Sequence, residues 1–209
     1  MNILIAGQKW FGAKVTEALS ELRGVKITHV SCPATSKDRM YRFAALKGLE
    51  IIPAGTLNKE TMPDDIDLIV TAHSHDFIGE QTRLRARFGG IGYHPSLLPI
   101  HRGRDSVEWA IRMGDRVTGG TVYRLSNKMD GGNIISQEHV FIGQNDTASE
   151  LWRRELSPLG VKLICDAVCQ FRDNGFVDGK PQDETLATWE PSIGRAPVFR
   201  PDLILLGFQ

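Results

Sequence analysis

The 209-residue chain holds only three cysteines, Cys32, Cys165 and Cys169. Three thiols make no disulfide framework, and a chain of this size buries roughly 70% of its unfolded surface without one. Cys165 and Cys169 stand four apart, the spacing of one helix face, which suits a buried apolar role better than redox chemistry. Net charge is absent as well, since 25 basic residues balance 25 acidic ones. That balance leaves no electrostatic footprint for duplex nucleic acid or an anionic membrane. No apolar run approaches the ~20 residues that cross a bilayer. The N-terminus opens on a strand-like segment without the basic stretch of a signal peptide. These absences point to a protein of the cytoplasm that acts on neither membranes nor nucleic acid.

What is present is an alternation of short apolar runs and segments of helical period. Asn2–Ala6 is a continuous apolar strand, a helix fits 12–22, and Gly24 closes it. A strand over 26–31, a helix over 37–47, a short strand at Ile51-Ile52 and a central strand over Asp67–Thr71 follow. A basic helix over 79–87 then leads to a strand over Gly90–His94. Such alternation predicts an α/β fold with an open, doubly wound, mostly parallel sheet. After residue 115 the pattern changes to an added antiparallel hairpin, with Thr118–Leu125 and Asn133–Ile142 joined across Ser126–Gly132. Thr147-x-x-Glu150 is a capping box for a long helix reaching about Arg172, which Pro158 kinks or divides. The segment beyond 175 is proline-rich and without helical period. The expected organisation is a catalytic domain over 1–175 and an extended C-terminal tail over 176–209.

The first strand-to-helix turn, Gly7-Gln8-Lys9-Trp10-Phe11-Gly12, keeps two glycines of a dinucleotide fingerprint. Lys9 replaces the glycine that lets backbone approach a pyrophosphate, and Ser31-Cys32-Pro33 offers no acidic residue for a ribose. A nicotinamide cofactor is therefore not expected. Lys9 at a helix N-terminus can face an anionic acceptor group, or the turn can simply pack with Trp10 beneath it. The most informative string is Tyr93-His94-Pro95-Ser96-Leu97-Leu98-Pro99-Ile100-His101-Arg102-Gly103. A histidine ending a strand of a doubly wound sheet lies at the usual ligand crevice, and two prolines stiffen the loop behind it.

Tyr93–Pro99 with Arg102-Gly103, followed by Gly119-Gly120-Thr121 and Met129-Asp130-Gly131-Gly132, resembles the formyltransferase family over about residues 1–170. Gly7-Gln8-x-x-Phe11-Gly12, Tyr93 and Leu156-x-Pro158-x-Gly160 are similar to the hydrolase domain of 10-formyltetrahydrofolate dehydrogenase in particular. The resemblance implies a Rossmann-like fold, 10-formyltetrahydrofolate as donor, and an Asn-x-His…Asp triad. His94 and Asp130 match the catalytic histidine and aspartate, whereas Gly92 stands where the family has its asparagine. The resemblance places His73, Ser74, His75, Phe77 and Leu97, with Asn127, Lys128 and Met129, around the folate. Gln8, Lys9, Trp10, Arg102 and Arg104 are the candidates for the acceptor side. His73, His75 and Asp76 complete no tight ligand set, so no metal is expected.

The implied function is formyl transfer to an amino group of a small acceptor. Arg102-Gly103-Arg104 is similar to several enzymes acting on amino sugar nucleotides. The alternatives are hydrolysis of the formyl-folate to formate, and a catalytically silent folate-binding module. The partners expected are folate and a small amine, with no nucleic acid.

Overall fold

The computed structural model describes residues 1–74 and 76–194. Seven strands form one sheet in the order β3-β2-β1-β4-β5-β6-β7. They are β1 (Asn2–Gly7), β2 (Lys26–Cys32), β3 (Glu50–Pro53), β4 (Leu68–Ala72), β5 (Gly90–His94), β6 (Val117–Arg124) and β7 (Ile134–Phe141). The first five run parallel, and β6 and β7 add an antiparallel hairpin. The fold is thus the Rossmann-like doubly wound sheet with an added hairpin.

Ile3 to Ala6 have no exposed surface, because β1 is covered on both faces. Ile3 and Ile5 join the larger core beneath α1 (Lys9–Ser20) and the late helix, with Phe11, Val15, Leu19, Ile164, Val168 and Phe171. Leu4 and Ala6 point the other way, onto Leu57, Met62, Ile66 and Ile78. Period two thus divides one apolar run between two cores. Strand order reverses between β1 and β4, so their C-terminal ends diverge into a crevice.

Two helices differ from what periodicity suggests. The basic helix shrinks to α3 (Glu80–Arg83), because Leu84 is exposed and supplies no core-facing stripe. Beside it stand α1, which begins three residues and ends two residues before the expected 12–22, and α2 (Arg39–Lys47), capped by Asp38 within the expected 37–47. By contrast α4 (Ser106–Met113) was unforeseen, since it starts directly from an irregular loop at Asp105. The late helix is divided near Pro158, as its sequence predicts, into α5 (Ala148–Leu151), a π-helical turn (Trp152–Leu156) and α6 (Ser157–Asn174). Pro158 sits in the first turn of α6, where its missing N–H interrupts the preceding bonding pattern and the chain takes a wider turn.

From 176 to 194 the chain is mostly irregular, with one 3-10 turn at Glu184–Leu186. It bridges Ile134 through Lys180 and Arg102 through Trp189, and so lies across the loop after β5. The rest of the expected tail, 195–209, lies outside the described residues.

Candidate functional site

A cavity of about 630 Å³ opens at the C-terminal ends of β1, β4 and β5. That volume is typical of a small-molecule site. Lys9, His73, Asp105 and Asp130 line it, and all four hold positive φ without being glycine. Strained backbone gathered at one cavity is a mark of function, because packing must hold it there.

His94 ends β5 and is 6% exposed. Its Nε2 lies 2.6 Å from the carbonyl oxygen of His101, an acceptor only, so Nε2 carries a proton and donates it. Nδ1 then faces Asp130 Oδ2 at 3.7 Å. Asp130 comes from the turn between β6 and β7 with φ 50°. Its Oδ2 accepts from the Gly103 N–H at 2.8 Å and its Oδ1 from the Tyr123 hydroxyl at 2.6 Å. Gln182 Nε2 donates to the carbonyls of Asp130 and Gly132, both at 2.7 Å, so the strap holds the turn itself. Burial pushes the Tyr123 hydroxyl well above the ordinary phenol range, and Asp130 beside it pushes the same way. Chemically, a neutral His94 presents a proton-accepting Nδ1 next to a carboxylate. Once protonated it presents a donor for a developing negative oxygen.

Several residues expected from sequence meet at this cavity. His73, Ser74 and Phe77 line it from the loop after β4, and Lys128 and Met129 from the turn after β6. Lys9 lines it after β1, while its backbone N–H is taken by Asp38 Oδ2 at 2.8 Å. Arg104 lines it from the loop before α4. His75 lies outside the described residues.

Other expected residues serve the frame instead. Arg102 is 1% exposed and does not line the cavity; its guanidinium binds Gln182 and Glu184 and stacks on Trp189. Its charge is thereby committed to the strap rather than to an acceptor. Asn127 Oδ1 accepts from Arg83 Nη2, tying the turn after β6 to α3. Leu97 packs over Gly119. Gln8 precedes α1 without capping it, and Trp10 is 42% exposed rather than packed beneath the turn. Phe11 fills that place, against Tyr93 and Trp152.

Sequence reasoning missed Tyr123, Thr71 and Trp152, all of which line the cavity. The signal available for Tyr123 was its place on the strand entering the Asp130 turn. Gly92 is close-packed rather than merely bare. An ideal Cβ there falls 2.6 Å from Thr71 Oγ1 and 3.2 Å from both the Tyr123 hydroxyl and Leu125 Cδ2. Among the described residues no group of three or more His, Cys, Asp or Glu side chains has metal-binding geometry.

A family model described as formyl transferase matches residues 54–168, more than half of the chain. Methionyl-tRNA formyltransferase of Lactobacillus delbrueckii subsp. bulgaricus is 27% identical over 208 residues, covering 93% of this chain and 65% of the relative. Mitochondrial 10-formyltetrahydrofolate dehydrogenase of Mus musculus is 39% identical over 104 residues, 50% of this chain and 11% of the relative. The chain therefore spans less than two thirds of the curated relatives it matches here. In fold it is similar to an N-formyltransferase from Helicobacter canadensis, crystallised with folinic acid and dTDP-3-aminofucose. That likeness has a TM-score of 0.73 at 20% identity, over 90% of this chain and 70% of the other.

Proposed function

The chain belongs to the formyl transferase family, and on that premise we propose that its crevice passes the formyl group of 10-formyltetrahydrofolate to an amino group of a small acceptor. The observation that carries this reading is the meeting of His94 and Asp130, from separate elements, at 3.7 Å on one cavity. The folate supplies a formyl carbonyl on a nitrogen able to leave as an amine. Asp130 and the free Nδ1 of His94 take the proton that the acceptor nitrogen loses as it bonds to the formyl carbon. The resulting imidazolium donates to the carbonyl oxygen as that oxygen gains charge, then returns the proton to the folate nitrogen as its bond to the formyl carbon breaks. One carbon–nitrogen bond forms, one breaks, and one proton changes carrier.

Phe77, Ile78 and Leu125 offer an apolar wall suited to a flat heteroaromatic ring. Lys9 and Arg104 offer positive charge to an anionic group on the acceptor. An amino sugar nucleotide fits that pairing of amine and phosphate. The cytoplasm is the compartment this reading assumes; among the described residues, no helix is long and apolar enough to cross a membrane.

Hydrolysis is the second reading, favoured by Gly92, which offers no amide where the family has one. The test is incubation with 10-formyltetrahydrofolate alone, then with an amino sugar nucleotide, phosphoribosylglycinamide or methionyl-tRNA, acceptors named for related proteins. Amine-dependent release of tetrahydrofolate is expected. Amine-independent formate release would select the hydrolase, and tight folate binding without any release would select a silent module. His94→Ala and Asp130→Ala are each expected to slow turnover by on the order of 10²–10⁴-fold.

A further inference from the structure

Tyr123 lies on β6 directly opposite Gly92 of β5 in the antiparallel register. It is 8% exposed, lines the cavity, and its hydroxyl is 2.6 Å from Asp130 Oδ1. A Cβ at position 92 would stand 3.2 Å from that oxygen, so the phenol occupies space which any larger residue at 92 would contest. We infer that Tyr123 is a positioning residue of the reaction centre, its O–H fixing the Asp130 carboxylate from within the space that Gly92 keeps open. The inference rests on the proposed formyl transfer and adds a group to that same site.

Asp130 stands on a turn with positive φ, where the backbone alone does not aim its carboxylate. Two donors, one on each oxygen, remove its rotation: the Tyr123 hydroxyl on Oδ1 and the Gly103 N–H on Oδ2. Oδ2 is then left facing His94 Nδ1. The phenol does this only while it keeps its proton, since a phenolate at the same distance would set two anions together. Asp130 faces the hydroxyl from the β6–β7 turn, with His94 of β5 beyond it. Thr71, from β4, borders the same space and does not titrate. Burial and the Asp130 charge both push the Tyr123 hydroxyl upward, which keeps it a donor.

Two variants separate this role from ring packing. Tyr123→Phe keeps the ring and loses the O–H. It is expected to lower kcat by on the order of 10²-fold, the cost of a slightly misplaced catalytic group, with KM for the formyl donor unchanged. A ring-fluorinated tyrosine placed at 123 keeps both ring and hydroxyl but acidifies the phenol. Its kcat is expected to fall at alkaline pH where the unmodified protein is still active, and it carries the test should Tyr123→Phe fail to fold. If Tyr123→Phe turns over like the unmodified protein, or if fluorination leaves the pH profile unchanged, the hydroxyl does not act through its proton and the inference is overturned while formyl transfer stands. If the unmodified protein releases no formyl group with or without amines, the proposed function fails and takes this inference with it.

Discussion

The wall of the crevice that follows β5 and the wall that follows β4 differ in how their side chains are held. Behind His94, Ser96 Oγ donates to the Ile100 carbonyl at 2.6 Å, and Thr121 Oγ1 donates to the Ser96 carbonyl at 2.7 Å. His101 is buried between the carboxylates of Asp115 at 2.8 Å and Glu190 at 3.0 Å, which clips the loop to the strap. Facing this is the loop after β4, where Phe77 is 67% exposed and Asp76 reaches away to the Gly55 N–H. One wall spends its polar groups on itself before any ligand arrives. The other leaves apolar surface to be covered. Chemistry needs groups that do not reorganise, whereas binding a ring needs uncovered apolar area, so the division matches the proposed roles.

The largest effect is expected from breaking the rigid wall at Arg102. Arg102→Ala removes a buried guanidinium from Gln182, Glu184 and Trp189 at once. A loss of about 3 kcal/mol is expected in urea unfolding, the value of charged hydrogen bonds left unmade. Activity should fall with it, because Gln182 also holds the Asp130 turn. A loss below ~0.5 kcal/mol, the range of ordinary surface changes, would show that the strap merely lies on the domain. Gly92→Asn sharpens the comparison from the proposed reaction centre. Its side chain must displace Thr71 and Tyr123, so a loss of roughly 1–3 kcal/mol by overpacking is expected, with slower turnover. A gain in transfer to an amine would mean instead that the close packing around Gly92 yields and a missing donor limits the site.

The rigid wall was also the more legible of the two. His94, Asp130 and the proline loop are written as contiguous strings, and buried strands announce themselves by continuous apolar runs such as Asn2–Ala6. What stayed hidden depends on contacts between distant segments. Arg102 reads as a candidate for the acceptor side until residues about eighty positions later, Gln182 and Glu184, are seen to enclose it. Tyr123 reads as one more β-former, because nothing local says that Gly92 lies opposite it. The short α3 misled for a different reason. Its basic residues imply a solvated helix, but a helix persists only where an apolar stripe is buried, and Leu84 faces solvent.

The smallest effect tests the open wall. Phe77→Ala removes exposed apolar surface and no hydrogen bond, so stability should change within ~0.5 kcal/mol. If a folate ring covers Phe77, the area lost is several tens of Å², worth on the order of 1 kcal/mol at about 25 cal/mol per Å². That corresponds to roughly a fivefold rise in KM for the formyl donor. The value of kcat should stay constant, because binding shared equally by ground and transition states leaves the chemical step untouched. A fall in kcat with KM unchanged would place Phe77 in the ordering of the reacting groups. The two walls would then share the catalytic work rather than divide it.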